Sequence, residues 1–126
     1  MKRILVIEDN HDLRETIADL LREENFEVFS TGKGSLALEL HAQNPFDLVI
    51  TDIIMPDTEG IEIILTLKRN YPGVNIIAIT GGGYLSSEII LEMTEQLGVN
   101  GSLKKPFDPD ALLKIVYNTL KLQEEC

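Results

Sequence analysis

The residues in this chain whose types could do chemistry stand where apolar runs stop. Glu8 and Asp9 follow ILVI at 4–7, Asp52 closes LVITD, Thr80 follows IIAI at 76–79, and Lys105 comes two residues after the run at 99–103. An ionised carboxylate buried without a partner costs several kcal/mol or more. An aspartate at the end of an apolar run therefore belongs at a strand's mouth, where water or an ion reaches it. Three carboxylates converging there would repel one another and raise the pKa of at least one unless a cation intervenes. Their oxygens suit a hard divalent ion such as Mg²⁺. A lysine opposite, with a hydroxyl beside it, can hold an anionic group, and a carboxylate can itself be a nucleophile. Together these groups make a site for a phosphoryl group. Each alone has a plainer reading. Asp52 can be a turn residue, and Glu8-Asp9-Asn10 can cap a helix and favour its dipole. Thr80 can be loop filler before Gly81-Gly82-Gly83, and Lys104-Lys105 a solvated pair. It is the joint register of the four groups that carries the chemical reading.

The elements that must position these groups alternate. Five apolar runs, at Ile4–Ile7, Phe26–Phe29, Leu48–Ile50, Ile76–Ile79 and Val99–Leu103, predict strands. The first, third and fourth are short, unalternating and rich in Ile and Val, as strands covered on both faces are. Helical spacing fills the intervals: Leu13, Ile17, Leu20 and Leu21; Leu36, Ala37 and Leu40; Ile61, Ile64 and Leu65; Ile90, Met93 and Leu97; Leu112, Ile115, Val116 and Leu120. Asn25 is a left-handed cap after the first helix, and Asn44-Pro45 stops the second. Tyr71-Pro72-Gly73 stops the third and Gly98 the fourth, while Asp108 caps the last, with Pro109 in its first turn. Strict alternation with short links predicts one α/β domain, a (βα)5 unit with a parallel sheet and helices on both faces. In such sheets ligands bind beyond the carboxyl ends of the strands. All the groups named above then share one rim, and Glu8, Asp9 and Asp52 converge if the first and third strands are neighbours.

Composition narrows the classes. A chain of 126 residues, 44% hydrophobic, fits one packed domain. A net charge of −10 argues against nucleic acid, whose binding depends on cations that neutralise phosphate. The single cysteine, Cys126, can form no internal disulfide, and Met1-Lys2-Arg3 leads into only four apolar residues, too few for an export signal. No apolar run approaches the roughly 20 residues that span a bilayer. The expected location is the cytoplasm. His11 and His41 are expected at the surface, and Gln123-Glu124-Glu125-Cys126 as a frayed tail.

Over almost its full length the chain resembles the receiver (CheY-like) domain of bacterial two-component response regulators. The matching pieces are ILVIEDN at 4–10, DLVITDIIMP at 47–56, Gly60, IIAIT at 76–80 and KKPF at 104–107. The resemblance implies a doubly wound, flavodoxin-like fold with strand order 2-1-3-4-5. It implies a receiver over residues 1–122, with 123–126 a short acidic tail. It further implies that Asp52 accepts a phosphoryl group from a phosphohistidine of a sensor histidine kinase or phosphotransfer protein. Asp9 and Asp52 would bind Mg²⁺ with the backbone carbonyl of Ile54, and Glu8 would act largely through water. Lys105 would pair with Asp52 and then with the phosphoryl oxygens. Thr80 would turn its hydroxyl to the phosphoryl group, and Lys105-Pro106 would be cis. Phosphorylation would switch the face made by the fourth helix, fifth strand and fifth helix, to control an effector or an output domain. A homodimer through that face is a further option. Such a domain is not an enzyme acting on an external substrate. With no room for an output domain, the chain is expected to be free-standing or cut from a longer regulator.

Departures from the family pattern are informative. The aromatic usual three residues before the lysine is Ser102, which puts the coupled movement of threonine and ring in question. Tyr84 is either its replacement or ordinary loop packing. Gly81 stands where alanine is common, and Ile54 puts a bulky apolar group at the mouth, which should slow attack by water. A phosphatase of the haloacid dehalogenase type would want a second aspartate at position 54. A pseudo-receiver would lack acidic, threonine or lysine positions that are all present here.

Overall fold

In the computed structural model, residues 1–53, 60–81, 92 and 95–122 are described. Five strands run in parallel: β1 (Arg3–Ile7), β2 (Glu27–Thr31), β3 (Leu48–Asp52), β4 (Ile76–Thr80) and β5 (Gly101–Lys104). Three helices, α1 (His11–Glu23), α2 (Gly34–Gln43) and α3 (Gly60–Asn70), follow the first three strands, and a C-terminal helix (Pro109–Leu120) follows β5. The sheet order is β2-β1-β3-β4-β5, the flavodoxin-like order.

Side chains on successive strand residues point to opposite faces, and here each face has its own core. Ile4, Val6, Leu48, Ile50, Ile77 and Ile79 pack against α1 and the C-terminal helix through Ile17, Leu21, Leu112 and Val116. Leu5, Ile7, Val49, Ile76 and Ala78 pack on the other side against Ala37 of α2 and Ile63, Ile64 and Leu67 of α3. Every residue of β3 and β4 is buried, the reason neither strand alternates in sequence.

Several expectations need correction. β3 runs two residues beyond Ile50, so Asp52 lies in the ladder, level with Ile79 of β4, and β5 begins at Gly101 rather than Val99. Leu36 and Leu65 are exposed. The inward positions are Ala37 and His41 on α2, and Ile63, Ile64 and Leu67 on α3. His41 is buried, not at the surface. Its Nδ1 accepts the Phe46 amide at 3.1 Å, supplying an acceptor to a buried N–H where the chain leaves α2 for β3. Its ring lies 6.0 Å from Phe46 and edge-on to Tyr71 at 4.6 Å. Burial, with the nearby Arg3 charge, holds its pKa below the usual value. Asp108 occupies the cap position of the C-terminal helix without a capping side-chain bond. Asn10 does cap α1, its Oδ1 accepting from Leu13 N at 3.0 Å. Asn25 and Gly98 have the left-handed backbone expected of them, with φ of 69° and 73°. Of the predicted fourth helix, Glu92 and residues 95–97 are helical and Leu97 packs on the second core; Ile90 and Met93 lie outside the described residues, as do Gly82, Gly83, Tyr84 and the tail.

Candidate functional site

The site forms where β1, β3, β4 and β5 end. β1 and β3 are neighbours in register, with Ile7 beside Thr51, so Glu8 and Asp52 emerge side by side. The Glu8 amide donates to Thr31 O at 3.1 Å, carrying the ladder to β2 one step further, and the Lys105 amide does the same toward Thr80 O at 2.8 Å. α3 begins hard against the end of β3. A Cβ on Gly60 would sit 1.8 Å from Asp52 O and 2.6 Å from Ile53 O, so only glycine permits this approach.

Carboxylate oxygens of Glu8, Asp9 and Asp52 lie within 4.8 Å of one another. Glu8 is fully buried and Asp52 nearly so, at 0% and 5% exposure, while Asp9 is exposed. Lys105 Nζ reaches both buried acids, at 2.6 Å from Glu8 Oε1 and 2.7 Å from Asp52 Oδ2. The sequence reading gave this lysine to Asp52 alone, and nothing in the spacing of residues 8 and 105 signals the second contact. Burial pushes the Glu8 carboxyl up to about 7. The Lys105 bond opposes that shift, while Asp9 and the Asp52 charge add to it. Burial would push the Lys105 amine down, but its bonds to Asp52 and Glu8 outweigh this and hold it above 10.5. The Lys105-Pro106 bond is cis, as expected.

The donor set fits a hard divalent cation. Three carboxylates face one ammonium among the described residues, and Glu8 Oε2 is buried with no hydrogen-bond partner among them. Oxygen ligands and uncompensated negative charge are what Mg²⁺ binds. Thr80 ends β4, buried, with its hydroxyl donating to Leu103 O at 3.3 Å. Ser102 is half-buried on β5 opposite Ala78. Ile54, expected to lend its carbonyl, lies outside the described residues. His11 is exposed, its Nδ1 3.6 Å from Asp12, and is not among the clustered acids. The sequence reading missed Arg14, whose Nη1 donates to Glu8 O at 2.8 Å. The available signal was only its place on α1 four residues past the cap.

Residues 4–117 match the family described as the response regulator receiver domain. The chain belongs to that family. This receiver is 33% identical over 120 residues to the probable transcriptional regulator ycf29 of Pyropia yezoensis, a match covering 94% of the receiver and 53% of the regulator. The receiver thus spans about half the length of that relative. With sporulation initiation phosphotransferase F of Bacillus subtilis it shares 27% identity over 122 residues, covering 97% of the receiver and 96% of the relative. The structure of the chemotaxis response regulator CheY4 of Vibrio cholerae superposes with a TM-score of 0.84 at 26% identity, over 94% of the receiver and 98% of CheY4. The receiver domain is a component of two-component systems, and its sheet order is the one its family resemblance implied.

Proposed function

We propose that this receiver takes a phosphoryl group onto Asp52 from a phosphohistidine of a sensor histidine kinase or phosphotransfer protein. An Asp52 carboxylate oxygen forms the bond to phosphorus as the phosphorus–nitrogen bond breaks, and the departing imidazole nitrogen takes up a proton. Lys105 passes from the carboxylate to the phosphoryl oxygens. The Thr80 hydroxyl leaves Leu103 O for the same group and draws the loop after β4 inward. Asp9 and Asp52, with the carbonyl of Ile54, would hold Mg²⁺, and Glu8 would act largely through water. An ion held there would supply positive charge to offset the negative charge on the phosphoryl oxygens.

The observation that carries this reading is the single lysine bridging Glu8 and Asp52 in a cluster of three carboxylates, one oxygen of which is buried and unpaired. The switch alters the face of the fourth helix, β5 and the C-terminal helix, with Thr80 and Ser102 the switch positions. That face controls a downstream effector or the output domain of a longer regulator and is available for a homodimer. The receiver catalyses only its own phosphotransfer and dephosphorylation, spans residues 1–122 ahead of the acidic tail, and works in the cytoplasm, away from membrane and without touching nucleic acid. No helix among the described residues is long and apolar enough to cross a membrane.

Incubation with Mg²⁺ and acetyl phosphate, followed by intact-mass measurement, tests the proposal. The expected outcome is one added phosphate on the wild type, none on Asp52→Asn, and none once Mg²⁺ is chelated. A wild type that gains no phosphate and binds no beryllofluoride would refute it.

A further inference from the structure

The turn that carries Glu8 and Asp9 is gripped from two sides. On one side the Glu8 amide donates to Thr31 O at 3.1 Å, and the Thr31 hydroxyl in turn accepts the Lys33 amide at 3.1 Å, tightening the bend after β2. On the other side Arg14 Nη1 donates to Glu8 O at 2.8 Å. The chain has 21 acidic residues, yet among the described residues Arg14 forms no ion pair and its guanidinium is directed at a backbone oxygen. Gly32 is shaped to admit it. A Cβ there would lie 2.8 Å from Arg14 Nη1, while its distances of 3.5 Å to Glu8 O and 3.6 Å to Asp9 Cα are ordinary contacts.

The need for such a grip follows from the site. Three carboxylate oxygens within 4.8 Å repel one another. Glu8 and Asp52 are locked by burial and Lys105, whereas Asp9 is exposed and its backbone sets where its side chain starts. A charge-assisted bond to the carbonyl of the Glu8–Asp9 peptide fixes the plane from which both side chains project.

We propose that Arg14 is a positioning residue for Mg²⁺. It keeps the Glu8–Asp9 turn in the orientation that presents both carboxylates to the ion, and Gly32 makes room for it to do so. Arg14 does not itself meet the ion. The inference rests on the Mg²⁺ reading above.

Calorimetric titration of Mg²⁺ into the intact wild type, Arg14→Gln, Arg14→Lys, Gly32→Ala and the Arg14→Gln/Gly32→Ala double variant tests it. Losing a group that orients metal ligands typically weakens affinity by roughly 10–100-fold. Arg14→Gln should therefore bind at least about tenfold more weakly than the wild type. Gly32→Ala, which keeps the charge and only displaces the guanidinium, should weaken binding in the same direction. Arg14→Lys should recover part of the loss. The double variant should be no worse than Arg14→Gln, because both changes break one contact. A merely structural arginine would lower the urea midpoint of the metal-free protein without this coupling in Mg²⁺ affinity. Wild-type affinity in both single variants overturns the inference and leaves the functional reading intact. A wild type that takes up no Mg²⁺ removes both. Should Arg14→Gln fail to fold, Gly32→Ala decides: unchanged affinity there overturns the inference.

Discussion

A carboxyl buried beside two others keeps its proton to higher pH, and Glu8, pushed by burial from 4.5 to about 7, is such a group. Between these values the folded metal-free protein holds a proton that the unfolded chain has released. Stability from this group is therefore complete below pH 4.5 and is lost as pH rises through 7. The change is on the order of 3 kcal/mol. Urea unfolding of the metal-free protein at pH 5 and pH 8 should show the fall, and Glu8→Gln should flatten it. An unchanged slope in Glu8→Gln would mean the proton sits elsewhere in the cluster. At this scale the sequence was legible where chemistry stood at strand ends, as with Asp52, Thr80 and Lys105. It was silent where a side chain's role depends on a distant backbone. His41 is buried with its nitrogen on the Phe46 amide, and Arg14 and Gly32 come together where a turn meets a helix.

Among the described glycines, the one that allows the closest approach between elements is Gly60, where α3 starts against the end of β3. Adding a methyl at Gly60 places a carbon 1.8 Å from Asp52 O, and the atom in the way is backbone. Gly60→Ala should cost about 3 kcal/mol or more and displace the Asp52–Ile53 peptide. A urea midpoint within experimental error of the wild type would show that α3 can retreat at no cost. This junction also explains why the inward faces of the helices were misread. In GIEIILTLKRN the apolar residues are so dense that more than one stripe satisfies helical spacing. The rotation that exposes Leu65 and buries Ile63 and Leu67 accompanies Gly60 lying on β3. α2 presents the same ambiguity, with Leu36, Ala37, Leu38 and Leu40 all apolar and Ala37 the one fully inside. The strands were easier, since helices on both faces make their runs uniformly apolar.

For the molecule as a whole, a cation that binds only the folded cluster shifts the folding equilibrium by mass action. At a Mg²⁺ concentration a hundred times its dissociation constant, the gain is about 2.7 kcal/mol. Thermal unfolding with Mg²⁺ or a chelator should give a higher midpoint in the metal, and Asp9→Asn should abolish most of the difference. An equal rise in Asp9→Asn would assign the effect to general screening of the −10 charge. The bridge from Lys105 has a consequence for how the chain is made. It joins residues 97 and 53 positions apart, to Glu8 and Asp52 respectively. A nascent chain leaving the ribosome thus carries all three acids long before it owns their ammonium. Only when residue 105 has emerged and β5 has docked on β4 is the ammonium that bridges Glu8 and Asp52 in place. On the phosphoacceptor reading proposed above, a chain that ends before residue 105 lacks the ammonium bonded to Asp52 and should gain no phosphate from acetyl phosphate.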